Sequence, residues 1–367
     1  MSNTNPGHPP AFRRIWKRQL PEEDMPWCQT KFQRRSACRG RRLHVIVREV
    51  VLPRVSTLDL VCASTARRPL KAAAFAVAGL LTGLAVPSIA NASYGWPLKP
   101  FDRQHAVRSF FDDPRAEGTG LSSFHFGIDI AARDGAPVYA VADGVVRLQP
   151  DSVAVVADTG DRTFAYWHVD PVVADLAHVA AGDEIGTIKP GFGHVHFVEK
   201  HGDRYVNPLR PGGIVPYVDS TSPTVVALVA AVGTRKVALD ALRGPVDLLV
   251  DAYDTPPPPL PAPPWNLTRV APAYIRWRLV PSAASTAPWR TAVDFRSFLA
   301  PLELYSSVYA PWTTLNRPGR PARLVFYLAH GWDSSHVPDG RYRLQVAVFD
   351  SQGNSARAGL WVTVANR

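Results

Sequence analysis

The sequence predicts an all-β protein, with a compact antiparallel β domain over 93–217 and a β-sandwich of immunoglobulin-like strand grammar over 222–367. Two observations carry this. From Ser93 to Tyr217, short runs rich in Val, Ile, Tyr and Phe are separated by Gly, Asp and Pro about every ten residues, the spacing of short strands and tight turns. From Ser222 onward the alternation is cleaner: Tyr342, Leu344, Val346 and Val348 fall on one face, and Arg343, Gln345 and Ala347 on the other.

The chain precedes these domains with a segment of different character. Of the 367 residues, 41 are Lys or Arg and 31 are Asp or Glu, a net charge of +10. Through Ala92 there are 15 basic and 5 acidic residues, which leaves 26 of each from Ser93 onward. The excess charge therefore sits in the first quarter, and the folded remainder has no overall signature of nucleic-acid binding. Residues 1–66 read as a disordered basic extension or as the product of a wrongly chosen start codon. Residues 67–92 read as a signal peptide. Arg67, Arg68 and Lys71 precede a small apolar run from Ala72 to Ile89, and Ala90-Asn-Ala92 offers small residues to a signal peptidase. An uncleaved membrane anchor is the alternative, and either way the remainder leaves the cytoplasm. Cys28, Cys38 and Cys62 all precede Ser93, so any metal in the folded part is held by His and carboxylate.

In the first domain, strands are expected at Pro137 to Val141, Val145 to Leu148, Val153 to Ala157 and Thr163 to His168. In the second, Gly244 to Asp254 (GPVDLLVDAYD) echoes Gly340 to Asp350 (GRYRLQVAVFD), which fits two strands of one sandwich. Asp350-Ser-Gln-Gly-Asn354 turns the chain into a terminal hairpin, and Thr255 to Pro264 is a stiff polyproline connection.

Seven of the eleven histidines lie between His105 and His201. His125 and Asp129 are four apart; in extended chain they project from one face and converge on one ion. His194 and His196 share a face for the same reason. Two strands bearing H-x-x-x-D and H-x-H can supply three zinc ligands and leave a position open for water, as catalytic zinc requires.

These motifs resemble the lysostaphin-like M23 family of zinc metallopeptidases over about Tyr94 to Leu209. The resemblance runs through His125-x-Gly127-x-Asp129, Gly135-x-Pro-Val-Tyr-Ala-x-Ala-Asp-Gly144-x-Val, Tyr166-x-His168, Ala181-Gly-Asp-Glu-Ile-Gly186, His194-Val-His-Phe197 and Asn207-Pro-Leu209. It implies one zinc per chain held by His125, Asp129 and His196, with His168 and His194 as the catalytic pair. Which of the two is the general base stays open. His178 and His201 match nothing in the family pattern and are expected in loops, and His105 is expected to be structural at the groove edge. The stretch Ile188 to Gly193 lacks the Thr-Gly and Gly-Pro of the family, and Val198 stands where Glu commonly follows His-Phe, so the groove wall is expected to differ.

The function so implied is a secreted zinc metalloendopeptidase that cuts peptide cross-links of bacterial peptidoglycan through a zinc-activated water. Its partners would be peptidoglycan peptides, with no nucleic acid and no membrane after signal cleavage. The alternative is a non-catalytic M23-like module that binds peptidoglycan or activates an amidase. A biotinyl or lipoyl carrier is excluded, because no Lys lies between Lys99 and Lys189. His330 and His336 are a weaker second metal candidate.

Overall fold

Every strand ladder in the structure is antiparallel. The computed structural model describes residues 93–116, 122–261, 263–281 and 287–367; the extension 1–66 and the signal segment 67–92 lie outside the described residues. Among the described residues, no helix is long and apolar enough to cross a membrane.

The first half is built on one large sheet. Its strands run in the spatial order Val107–Ser109, Ile128–Ala131, His194–His201, Arg162–Trp167, Ser152–Ala157, Gly144–Gln149 and His178–Val179, with Arg204–Val206 pairing on His194–His201. A second sheet of Pro137–Tyr139, Glu184–Ile188 and Val169–Pro171 shares a core with it. Ile128, Ile130, Phe164, Tyr166, Val195 and Phe197 are fully buried in that core. Arg162–Trp167 alternates between buried and half-buried positions, the period-two pattern of a strand with one face inward. Tyr166 has no free surface and its hydroxyl accepts the Val141 amide at 2.8 Å, which pins the end of the strand that leads to His168.

The second half is a sandwich of two four-stranded sheets. One is ordered Arg235–Val237, Thr224–Val232, Pro245–Tyr253, Val325–Asp333; the other Arg290–Asp294, Tyr274–Pro281, Gly340–Phe349, Ser355–Val364. Leu248 and Val250 of the first pack with Ile275, Trp277, Leu344 and Val346 of the second in one core. The echoing segments fall on opposite sheets, and the terminal hairpin pairs without a bulge from Gly340↔Val364 to Phe349↔Ser355. Ala347 faces away from Val346 and Val348 yet is equally buried.

The two halves are not merely tethered. Phe124, which immediately precedes His125, is buried in the sandwich's core, with ring centroids 5.2 Å from Tyr305 and 6.0 Å from Phe295. Asp113 accepts the Ala271 amide at 2.6 Å, Asp112 accepts the Ala300 amide at 3.0 Å, and Tyr309 donates to the Asp112 carbonyl at 2.8 Å. The polyproline connection also touches the first half, since Gln104 donates to the Pro257 carbonyl.

Asp112 is fully buried and its Oδ2 has no partner. Burial pushes its carboxyl up to about 8 from an ordinary 3.8. Between those values the folded chain holds a proton that the unfolded chain has lost, so this group's contribution to stability falls as pH rises from about 4 to about 8. Asp112→Asn removes the charge. Thermal unfolding should show a midpoint raised most near pH 8.5, less near pH 5 and least near pH 4.

Candidate metal centre

Asp129 and His196 meet because their strands are neighbours. In the pairing of Ile128–Ala131 with His194–His201, His196 lies directly opposite Asp129. Directly opposed residues on one sheet face have Cβ atoms within about 5.5 Å, close enough for both side chains to reach one point. His196 Nδ1 is 3.1 Å from Asp129 Oδ1.

His125 arrives by a different route from the one its spacing suggested. The chain is not extended from His125 to Asp129: the strand Ser122–Phe124 ends before His125, and the next starts at Ile128. Backbone hydrogen bonds hold His125 against Asp112 and Asp113, at 2.8 Å to the Asp112 amide and 2.9 Å from its own amide to the Asp113 carbonyl. Its Nδ1 donates to the Phe110 carbonyl at 2.8 Å, which leaves Nε2 with a bare lone pair. That atom lies 2.8 Å from His196 Nδ1 and 3.2 Å from Asp129 Oδ1.

Gly127 explains the tight link between them. A Cβ there would stand 2.4 Å from the Phe197 carbonyl oxygen and 2.9 Å from His196 Cε1. Gly127→Ala should therefore shift both the Phe197 backbone and the His196 ring; we expect a lowered thermal midpoint and a divalent-metal content reduced at least about tenfold, read by thermal unfolding and elemental analysis beside wild type.

The donor set suits a metal ion. His125, Asp129 and His196 are 3%, 6% and 6% exposed, and their ligand atoms all lie within 4.8 Å of one another. Burial lowers the His125 imidazole to about 3, with Arg115 adding to the effect, so it is a neutral donor at ordinary pH. Burial opposes the Asp129 charge, but the Arg115 guanidinium beside it and a hydrogen bond from His196 hold its carboxyl well below the usual range. Arg115 binds the outer oxygen, Oδ2, at 2.8 Å, and Oδ1 remains turned to the two imidazoles. Two imidazole nitrogens and one carboxylate oxygen, buried around one point, are the ligands of a borderline divalent cation.

His194 and His168 lie beside this trio. His194 Nε2 is 3.5 Å from Asp129 Oδ1, and its Nδ1 donates to the Phe192 carbonyl at 2.7 Å. His168 lies just beyond the strand Arg162–Trp167 rather than within it, at φ 64°, a left-handed conformation that costs a non-glycine residue on the order of 1 kcal/mol. This geometry stacks its ring on Phe192 at 4.0 Å and sets it 4.9 Å from the His194 ring. Burial lowers both imidazoles to about 4, helped by the crowding of the imidazoles around His168 and by the Arg108 guanidinium beside His194, where Asp129 opposes the shift.

Several residues at the centre have no motif of their own. Arg108 donates to the Phe192 carbonyl at 3.3 Å, lies 3.4 Å from His194 Nε2, and packs over Trp265 of the sandwich half at 5.0 Å. Asp134 accepts the Gly191 and Gly193 amides at 2.6 and 2.8 Å, closing the loop that carries Phe192. The unusual Ile188 to Gly193 stretch thus forms a wall with Phe192 as its aromatic face.

The remaining histidines are elsewhere. His178 lies on the strand His178–Val179, not in a loop, and is exposed against Asp158 at 2.9 Å. His201 likewise ends the strand His194–His201, where it joins a buried network of Glu199, Arg210 and Tyr94. His105 lies 3.1 Å from the Pro100 carbonyl and 5.4 Å from the Trp96 ring. His330 pairs with Asp247 at 2.8 Å, and no metal-ligand group among the described residues includes His330 or His336.

Comparison with known proteins places this centre. Uncharacterized proteins of Mycobacterium tuberculosis and Mycobacterium bovis are each 33% identical over 130 residues, 31% of this chain. The chain spans 30% of the length of these curated relatives. Among solved structures, the catalytic domain of lysostaphin from Staphylococcus simulans is similar at 20% identity, over 27% of this chain and 85% of that one, with a TM-score of 0.25. A zinc-containing peptidase from Vibrio cholerae is similar at 25% identity, over 32% and 39%, with a TM-score of 0.27. The family model of Peptidase family M23 matches residues 123–208, a span that includes His125, Asp129, His168, His194 and His196. Within the β domain that holds this centre, the segment 123–208 is thus similar to Peptidase family M23.

Proposed function

We propose that the chain is a secreted zinc metalloendopeptidase that hydrolyses the peptide cross-links of bacterial peptidoglycan. The observation that carries this reading is a complete, buried donor trio flanked on one side by two further neutral imidazoles. A binding-only module has no use for that combination. In this reading, 93–217 is the peptidase domain and 222–367 a sandwich that supports and orients it.

His125 Nε2, Asp129 Oδ1 and His196 Nδ1 would hold one zinc ion, whose Lewis acidity polarises a peptide carbonyl and brings a water's pKa toward ~7. The remaining chemistry belongs to the side chains. With its Nδ1 proton committed to Phe192, neutral His194 has only Nε2 with which to take up a proton. His168, held by its stack on Phe192 and its left-handed backbone, would donate a hydrogen bond to the carbonyl oxygen as charge develops there. Arg108 adds positive charge beside His194. A digest of purified peptidoglycan, followed by mass spectrometry for new amino termini within the cross-links, tests the activity.

Export is part of the proposal. The mature protein should begin at Ser93, and amino-terminal sequencing of material recovered outside the cell should return Ser-Tyr-Gly-Trp. Recovery of peptides containing Cys28 or Cys62 from that material would refute processing at this bond.

A further inference from the structure

Three carboxylates outside the first metal centre form a second cluster. Asp219 lies in the segment joining the two halves, Asp254 directly follows the strand Pro245–Tyr253, and Asp350 directly follows the strand Gly340–Phe349. They are 6%, 1% and 3% exposed, and one oxygen from each lies within 4.8 Å of the others. None has an ion-pair partner among the described residues. Three buried, mutually close and uncompensated carboxylates cannot all remain charged without a cation.

Hydrogen bonding turns specific oxygens toward the gap. Asp219 Oδ1 accepts the Thr221 amide and hydroxyl at 2.8 and 2.6 Å, and Asp254 Oδ1 accepts the Thr255 amide at 2.8 Å. Asp350 Oδ1 accepts the Gln352 and Asn354 amides at 2.9 and 2.8 Å, and its Oδ2 takes Asn354 Nδ2 at 2.7 Å. The Oδ2 atoms of Asp219 and Asp254 are buried with no partner.

An independent group points to the same place. Tyr217 is 8% exposed, its ring belongs to the core of the first half, and its hydroxyl is buried without a hydrogen-bond partner. Burial raises the pKa of that hydroxyl, and all three carboxylates are close enough to add to the rise, with the Ser351 side chain opposing it. Ser351 Oγ is a further buried oxygen without a partner.

We propose that Asp219, Asp254 and Asp350 form a calcium site that clamps the connecting segment to both sheets of the sandwich. The donors are all oxygen, which selects a hard cation, and they come from three irregular segments. Calcium accepts six to eight oxygens in flexible geometry, whereas magnesium demands a near-octahedral set and gives up its waters reluctantly. Asn354 completes the clamp by donating to the Asp219 backbone carbonyl at 2.7 Å. Tyr217 couples the site to the peptidase half, because its ring packs there. The echo between Gly244 to Asp254 and Gly340 to Asp350 was the sequence signal: its two terminal aspartates end on opposite sheets and meet here.

The test uses the full chain after dialysis into calcium-free buffer. Millimolar Ca²⁺ should raise the thermal midpoint by roughly 5 °C or more, with a smaller response to Mg²⁺. Titration with Tb³⁺ under excitation of the aromatic side chains should give sensitised emission that Ca²⁺ displaces. Asp254→Asn should lose both responses, while its calcium-free midpoint equals or exceeds that of wild type because a repelling charge is gone. His196→Ala should keep the calcium response, which separates this site from the M23 centre. The proposal is overturned if wild type responds to neither ion. It is equally overturned if the response survives in Asp254→Asn and Asp350→Asn together. A third contrary result is a calcium-free midpoint that climbs more steeply in wild type than in Asp254→Asn as pH falls from about 8 to about 5, without any effect of Ca²⁺, since shared protons would then balance the carboxylates.

Discussion

His196→Ala is expected to release zinc and abolish hydrolysis together. The substitution deletes Nδ1, one of three donor atoms, and leaves His125 and Asp129 with Arg115 bound to the outer carboxylate oxygen. Two ligands hold a divalent ion far more weakly than three, so bound zinc should fall from about one per chain toward zero at micromolar free metal. The strand itself should persist, because Val195 and Phe197 on the opposite face remain buried in the core. Elemental analysis and thermal unfolding on the same sample distinguish lost metal from lost fold. Zinc retained near one per chain would place the ligands elsewhere.

His168→Ala is expected to fail differently. The ring contributes no atom to the donor trio and sits 6.3 Å from the His196 ring, centroid to centroid. Zinc should therefore stay bound, with KM little changed and kcat lower by about 10²- to 10³-fold, the usual worth of one donor to a developing oxyanion. His168→Asn is the useful companion, because Asn tolerates the left-handed backbone at φ 64° and separates loss of the imidazole from loss of the turn. His178→Ala, on an exposed side chain, should change neither zinc nor rate. Loss of metal in His168→Ala, or an equal loss of rate in His178→Ala, would mean that the histidines had been divided wrongly.

Much of this centre was legible before folding, because its strongest signals are local. An alternating strand puts His194 and His196 on one face whatever surrounds it. The four strands expected in the first half, observed at Pro137–Tyr139, Gly144–Gln149, Ser152–Ala157 and Arg162–Trp167, fall within two residues of the runs that announced them. His125 shows the limit of that reasoning. Its convergence with Asp129 depends on Asp112, Asp113 and Phe110, none of which shares a strand with it. Arg108, Arg115 and Phe192 were missed for the same reason, since nothing in a charged or aromatic residue's neighbours tells which distant strand edge it will meet. Least legible was the support that the sandwich gives the site. Phe124 reads as an ordinary strand residue, yet it is buried in the sandwich core, and Trp265 of a proline-rich connection covers Arg108.

The central claim is hydrolysis of peptide cross-links by the zinc-loaded chain. Purified, cross-linked peptidoglycan incubated with the full chain and one equivalent of zinc should yield fragments with new amino termini inside the cross-linking peptides, identified by mass spectrometry, and His196→Ala should yield none. Intact cross-links after incubation with zinc-loaded protein, or fragments produced equally by His196→Ala, would contradict it.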